Sequence, residues 1–146
     1  MRWTVRTFDE LTVHELHALL RLRTDVFVVE QRCAYAEVDG TDPDALHVLG
    51  HRDGELLAYA RILPPTADDV PHIGRVVVRA DVRNQGLGRE LVRTTLAAAR
   101  QRHGTDRSAL SAQAHLTGLY RSLGYITVSA IYDLDGIPHV DMVRNG

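Results

Sequence analysis

The residues whose types and spacing suggest chemistry begin with Arg83, Asn84, Gln85, Gly86, Leu87 and Gly88, an Arg-x-x-Gly-x-Gly run. It follows an apolar, β-branched stretch at 73 to 78 and opens a segment with helical periodicity, so it reads as the turn between a strand and a helix. Two glycines at a helix start leave the backbone bare, and an anion can approach amides that have no intrahelical partner. The helix terminus contributes roughly half a positive charge, and Arg83 adds a full one beside it. Such a turn suits a phosphate group, although a glycine pair there can also serve packing alone.

Two common phosphate sites are excluded. A Walker loop requires Gly-Lys-Ser/Thr, and the chain has no lysine. A dinucleotide fingerprint requires glycine or alanine three places after Gly88, where Leu91 stands, and an acid about twenty residues further on. Other groups that could do chemistry are dispersed. The segment 26 to 45 is rich in acids, among them Glu30, Asp39 and Asp42, and His115 and Tyr120 lie near the Leu-Gly-Tyr of 123 to 125. Histidines and acid-rich turns are more often structural or solvated than catalytic. His14 and His17 lack the i, i+4 spacing of a zinc helix, while His47 and His51 have it within a strand-like run, so no metal is expected. Cys33 has no partner cysteine and excludes an intrachain disulfide.

The elements that must position these groups follow from periodicity and turn signals. A short strand is expected around Trp3, Val5 and Phe8. Thr12 with Glu15 forms a capping box for a helix from 13 to 27, and 26 to 45 reads as a long loop punctuated by Asp39-Gly40 and Asp42-Pro43. Strands at 46 to 51 and 55 to 63 are joined through Asp53-Gly54, and prolines 64, 65 and 71 precede the central strand. The helix after Gly86 turns Leu87, Leu91, Val92, Leu96 and Ala99 inward and stops at Gly104. A strand at 108 to 113 should run parallel to the central one. A short helix ends at Gly124, and strands at 125 to 132 and 139 to 143 close the chain around Asp135-Gly136.

At 146 residues, one domain spanning 1 to 146 is expected. A net charge of -2, with every basic residue an arginine dispersed along the chain, gives no case for nucleic acid or an anionic membrane. The start, MRWTVRTFDE, carries no apolar leader region, and no apolar run reaches spanning length, which points to a cytoplasmic protein.

The Arg-x-x-Gly-x-Gly turn resembles the coenzyme A pyrophosphate loop of the GNAT N-acetyltransferases. The element order resembles that family along the whole chain, residues 112 to 125 resemble its second motif, and 26 to 42 with 135 to 144 look like its ElaA branch. The resemblance implies an α/β fold: a mixed sheet with splayed parallel strands flanked by helices. It implies acetyl-CoA as co-substrate, held by Val76, Val77, Val78, the turn from Arg83 to Gly88, Arg89, Gln113 and Tyr120, with a main-chain amide near Val76 or Val77 as oxyanion donor. Tyr120, otherwise a core aromatic by its spacing, becomes the general acid. A phenol titrates near 10 and a thiol near 8.5, so tyrosine can protonate a departing thiolate at neutral pH. Candidates for the base and for the acceptor site are Glu30, Asp39, Asp42 and His115, the acidic loop being expected beside the acceptor entrance. The implied reaction is direct attack by a primary amine of a small molecule or peptide; the alternative is a non-catalytic CoA-binding sensor. Exposed strands at the sheet edges could pair two copies.

Overall fold

The computed structural model describes residues 1–146. Eight strands, β1 (Arg2–Thr7), β2 (Leu46–Arg52), β3 (Glu55–Leu63), β4 (His72–Val78), β5 (Arg107–Gln113), β6 (Tyr125–Thr127), β7 (Tyr132–Leu134) and β8 (Ile137–Asn145), form one sheet. Their order is β1-β2-β3-β4-β5-β8-β6, with β7 also on β8. The pair β4–β5 is parallel, and every other pairing is antiparallel. Helix α1 (Val13–Arg23) lies on one face, while α2 (Leu87–His103) and α3 (Thr117–Ser122) lie on the other, giving the mixed α/β fold expected.

Each face follows from the apolar pattern beneath it. On the α1 side, Leu19, Leu22 and Val26 bury against Leu49, Tyr59 and Val77 of β2, β3 and β4. On the other side, Leu91, Val92, Ala98 and Ala99 of α2 and Tyr120 of α3 pack on alternate strand residues such as Val48, Ala60, Leu110, Ala112 and Met142. Thr95 and Ala98 are buried and Leu96 is only half-buried, so the inward stripe of α2 is rotated slightly from the expected one. The Thr95 hydroxyl is satisfied by donating to the Leu91 carbonyl, 2.8 Å away.

The capping box at Thr12 forms as expected: Glu15 N donates to Thr12 Oγ1 at 3.0 Å and Thr12 N to Glu15 Oε1 at 2.9 Å. The two Asp-Gly turns that join strands have two successive left-handed residues, Asp53 and Gly54 (φ 53° and 79°), then Asp135 and Gly136 (φ 54° and 83°). That twist matches a two-residue hairpin. Gly50 lies beneath the Trp3 ring so closely that a Cβ would come within 2.5 Å of it.

Three boundaries depart from the sequence expectations. The first helix leaves α geometry at Thr24 and continues as a π-helical segment, Thr24–Glu30, so 26 to 30 is helical rather than loop. The segment 31 to 45 is tied down by buried ion pairs instead of being loosely ordered. The expected strand 125 to 132 is interrupted, because at 129 the Ser129 hydroxyl replaces a backbone acceptor and takes the Asp141 N–H at 2.9 Å. The chain therefore leaves β8 after Val128 and rejoins it as β7.

One irregularity shapes the middle of the sheet. Tyr59 pairs with Val77 and Arg61 with Gly74, so Ala60 alone stands opposite Arg75 and Val76, a β-bulge with Arg75 at φ 51°. Beyond it β4 bends away from β5. The two are in register only at His72 and Ala109, reinforced by Ala109 N donating to the Pro71 carbonyl at 3.1 Å. Strand β5 meanwhile stays paired with β8 from Arg107 to Gln113. The sheet is open along one seam.

Candidate functional site

The seam opens into a cavity of about 560 Å³ lined from β4, β5, both strands of the β7–β8 hairpin near its turn, the π-helical segment, the first turn of α2 and α3. At one end is the Gly-rich turn. Gly86 is left-handed (φ 80°), and the first intrahelical bond is Glu90 N to the Gly86 carbonyl, so the amides of Leu87, Gly88 and Arg89 have no partner within the helix. Glycine at the cap brings no side chain to cover them. A Cβ at Gly88 would meet only Leu119 Cδ2, at 3.8 Å, so packing does not require glycine there. Leu87, Gly88, Arg83 and Asn84 line the cavity, whereas Gln85 and Gly86 stand exposed outside its lining. Arg89 also lies outside it and donates to Ser122 Oγ at 2.8 Å.

Arg83 is already engaged. Its guanidinium makes a two-point contact with Glu30 (2.6 and 3.0 Å), and Nε donates to the Val78 carbonyl at 3.1 Å. Glu30 therefore lies on the cavity lining beside the Gly-rich turn, where the arginine draws it, and apart from Asp39 and Asp42 of the acidic segment. Along the seam Val76, Val77 and Val78 line the wall, and beyond the bulge the β4 backbone has no β5 partner. Gln113 lines the opposite wall and exchanges amide hydrogen bonds with Gln31, 3.2 Å apart at the shorter.

Tyr120 reaches the cavity from the α3 side while 4% exposed. Burial, with the Tyr125 phenol beside it, pushes its pKa well above the ordinary phenol value, so the hydroxyl keeps its proton across the physiological range. Tyr125 packs edge-on against it, ring centroids 5.8 Å apart, and is held in turn by Ser108 Oγ at 2.5 Å. His115 lines the cavity as well, on the exposed turn before α3.

Asp39 and Asp42 are not where the acidic loop was expected to offer them. Asp42 is buried between two arginines, with Oδ1 2.8 Å from Arg23 Nη1 and 3.0 Å from Arg61 Nη1. Asp39 takes a two-point contact from Arg61 (2.7 and 3.1 Å) and a longer one from Arg75, 3.3 Å. Glu37 completes the set: it accepts from Arg23 Nε at 2.7 Å and from Tyr35 at 2.5 Å, and Arg75 pairs with it too. Three arginines and three carboxylates thus neutralise one another in a cluster that runs from buried Arg23, Glu37 and Asp42 out to exposed Asp39, and neither Asp39 nor Asp42 lines the cavity. Hydrogen bonds from Arg61 hold Asp39 well below the usual carboxylate range. Burial opposes ionisation of Asp42, but Arg23 and Arg61 outweigh it and its pKa is also lowered.

His47 sits under this cluster, bridging the Tyr59 hydroxyl (2.6 Å) and the Asp42 carbonyl (3.0 Å). The carbonyl can only accept, so Nε2 carries the proton and Nδ1 accepts from Tyr59. Burial lowers its pKa, and the ring stays neutral. No group of three or more His, Cys, Asp or Glu side chains is arranged to hold a metal ion.

Sequence reasoning missed several cavity residues. Arg75, Tyr35, Gln31, Ile137 and His139 all line it, on a bulge, a loop and a hairpin whose convergence depends on tertiary structure. The one signal available was the Asp-Gly turn, which places 137 to 140 back against its neighbouring strand and thereby returns His139 to the end of β5.

A mixed sheet that opens along one seam between parallel strands, beside a helix N-terminus, is an architecture shared with acyltransferases that use acyl-CoA. The sequence profile of the acetyltransferase (GNAT) domain matches residues 14–145, and the chain belongs to that family. Among its relatives, protein ElaA of Escherichia coli K12 is 45% identical over 148 residues, covering 99% of this chain and 96% of that one. The crystal structure of Escherichia coli ElaA superposes with a TM-score of 0.92 at 42% identity, covering 99% of both chains. That of an acyl-CoA N-acyltransferase from Pseudomonas aeruginosa does so with the same TM-score at 46% identity, again over 99% of each. No helix is long and apolar enough to cross a membrane.

Proposed function

We propose that the protein transfers an acetyl group from acetyl-CoA to a primary amine of a small molecule or peptide, by direct attack in a ternary complex. The observation that carries this reading is the seam: unpartnered amides at the start of α2, an unpaired stretch of β4 and the Tyr120 phenol all border one cavity. The pyrophosphate of the donor rests on the amides of Leu87 to Arg89, with those of Gln85 and Gly86 at the rim. Its pantetheine arm runs along Val76 to Val78 in the place a paired β5 would otherwise take, and a β4 amide near Val76 or Val77 receives the carbonyl oxygen as charge builds on it. Attack forms the C–N bond and breaks the C–S bond, and Tyr120 protonates the departing thiolate. Its raised pKa means that the phenol is protonated when the thiolate departs. We take the unit as a single domain over 1–146.

The test is turnover. The protein is incubated with acetyl-CoA and a panel of amines, and free thiol is followed with and without each acceptor. Amine-dependent thiol release supports the transferase; tight acetyl-CoA binding with no release for any acceptor identifies a CoA sensor instead.

A further inference from the structure

An amine that attacks a thioester must first be neutral, yet it arrives as an ammonium ion at physiological pH. The carboxylates of the 26 to 45 segment do not supply the base, since Glu30, Asp39 and Asp42 are held by arginines. Another group meets the requirement.

His139 is paired directly opposite Gln113, the last residue of β5, and opposite Tyr132 of β7. Directly opposed residues of an antiparallel pair share a face of the sheet, and Leu110 and Ala112 face α2 and α3. Gln113 and His139 therefore face the α1 side. Helix α1 packs over β2, β3 and β4 on that face, so the stretch over β5 and β8 keeps polar side chains: Ser111, Gln113, Tyr132, Asp141 and His139. Position along the seam agrees. Strands β4 and β5 meet at Ala109, and Gln113 lies four residues further on, about 13 Å along the strand, at the open end.

The ring is held for the task. Its Nδ1 is 2.7 Å from the Ile137 carbonyl, which can only accept, so Nδ1 carries the proton and Nε2 presents a lone pair. The Tyr132 ring stacks on it with centroids 6.2 Å apart and an interplanar angle of 28°, and His139 is 9% exposed while lining the cavity.

We propose that His139 is the general base of the acetyl transfer, accepting through Nε2 a proton from the acceptor ammonium, which enters from the face opposite Tyr120. This rests on the transferase reading above and extends it. The acid reaches the seam from the α2–α3 side and the base from the α1 side, so attack and departure take place on opposite sides of the thioester carbon. Nitrogen gives up two protons in all. One passes to His139 before attack and leaves to solvent; the other leaves after the C–N bond forms and restores the proton that Tyr120 passes to sulfur.

The other titratable groups bordering the same cavity are mostly committed. From the loop come Cys33, which donates to the Asp135 carbonyl, and Tyr35, which donates to Glu37. From β4 comes Arg75, paired with Glu37 and Asp39, and at the phosphate end Glu30 pairs with Arg83. Tyr120 and His115 line it from α3 and the turn before it, and Asp135 from the hairpin. Tyr132 of β7 donates to Asp141 at 2.6 Å, beside the histidine ring it covers.

The experiment compares wild type with His139→Gln in amine-dependent turnover from pH 6 to pH 10, with acetyl-CoA affinity measured on both. The expected result is kcat/KM lowered about a hundredfold near pH 7, with the deficit closing as pH approaches the acceptor's own pKa, because solvent then delivers the neutral amine. Acetyl-CoA affinity is kept, and exogenous imidazole restores turnover to His139→Ala. Profiles of wild type and His139→Gln that run parallel, or unchanged rates near pH 7, overturn the assignment of the base while leaving the transferase standing. A wild-type protein that acetylates none of the amines overturns both.

Discussion

Two arginine–carboxylate systems, one on the cavity lining and one behind it that reaches the lining only through Arg75, differ in almost everything except chemistry. Arg83 and Glu30 bridge the Gly-rich turn and the π-helical segment at the rim, with side chains 37% and 41% exposed. Arg23, Arg61 and Arg75 meet Glu37, Asp39 and Asp42 inside, where Arg23 is fully buried and Asp42 nearly so. Water screens the first and lets it open at little cost, while in the second only Asp39 and Arg75 keep partial access to solvent and the Arg23, Arg61, Glu37 and Asp42 side chains have almost none. The interior cluster fastens the 31 to 45 segment to α1, β3 and β4. The rim pair occupies the cation that a phosphate would otherwise find.

The largest effect that tests this contrast is in the interior. Arg23→Ala leaves Glu37 and Asp42 buried with part of their compensation gone, and should lower unfolding stability by about 3–5 kcal/mol in a denaturant titration. A loss no greater than that of a surface substitution would mean the cluster is solvated and the contrast false. Its acid response follows from the same pairing. Asp39 and Asp42 have folded pKa values below the unfolded one, so their contribution is complete above about pH 4 and is lost as pH falls below it. Unfolding midpoints measured from pH 6 to pH 2.5 should therefore hold and then drop, and the drop should be shallower in Arg23→Ala.

The cavity residues should behave in the opposite way, with large kinetic effects and small structural ones. Tyr120→Phe keeps the packing against Tyr125 and removes one hydroxyl, and kcat should fall about a hundredfold or more with acetyl-CoA affinity kept. Full activity would assign the proton to water. Gly88→Val tests the donor end. The helix has room for the Cβ, but the branched side chain covers the bare amides, so acetyl-CoA should bind about tenfold more weakly or worse while the melting temperature barely moves. Equal binding by calorimetry would remove the pyrophosphate from this turn.

The contrast also explains what the sequence disclosed. The Gly-rich turn, the capping box at Thr12 and both Asp-Gly hairpins were legible because local backbone requirements select their residues. Splayed strands were anticipated through family resemblance, whereas the bulge at Arg75 and Val76 beside the opening is announced only by Gly74, a lone strand glycine that many regular strands also carry. The acids of the 31 to 45 segment were misplaced for a related reason. Composition shows the carboxylates, but their arginine partners lie on α1, β3 and β4, distant in the chain, and only the fold shows that the charges cancel. His139 stayed hidden because its value depends on strand pairing with Gln113 and on a hydrogen bond that fixes one ring nitrogen.

The smallest expected effect is the most discriminating. Glu30→Gln breaks the rim pair without changing its shape, and an exposed pair of this kind contributes between 0 and about 1 kcal/mol, so stability should scarcely respond. Affinity should respond, and upward. In the free protein Arg83 is divided between Glu30 and the Val78 carbonyl, and a diphosphate must compete with the carboxylate for it. Removing that competitor should tighten CoA binding by up to about fivefold, the change that 1 kcal/mol allows, with the gain shrinking in high salt. Calorimetric titration of both proteins at two ionic strengths measures it. Weaker binding would show that Glu30 aims the guanidinium instead of withholding it, making the rim pair a structural element like the interior cluster.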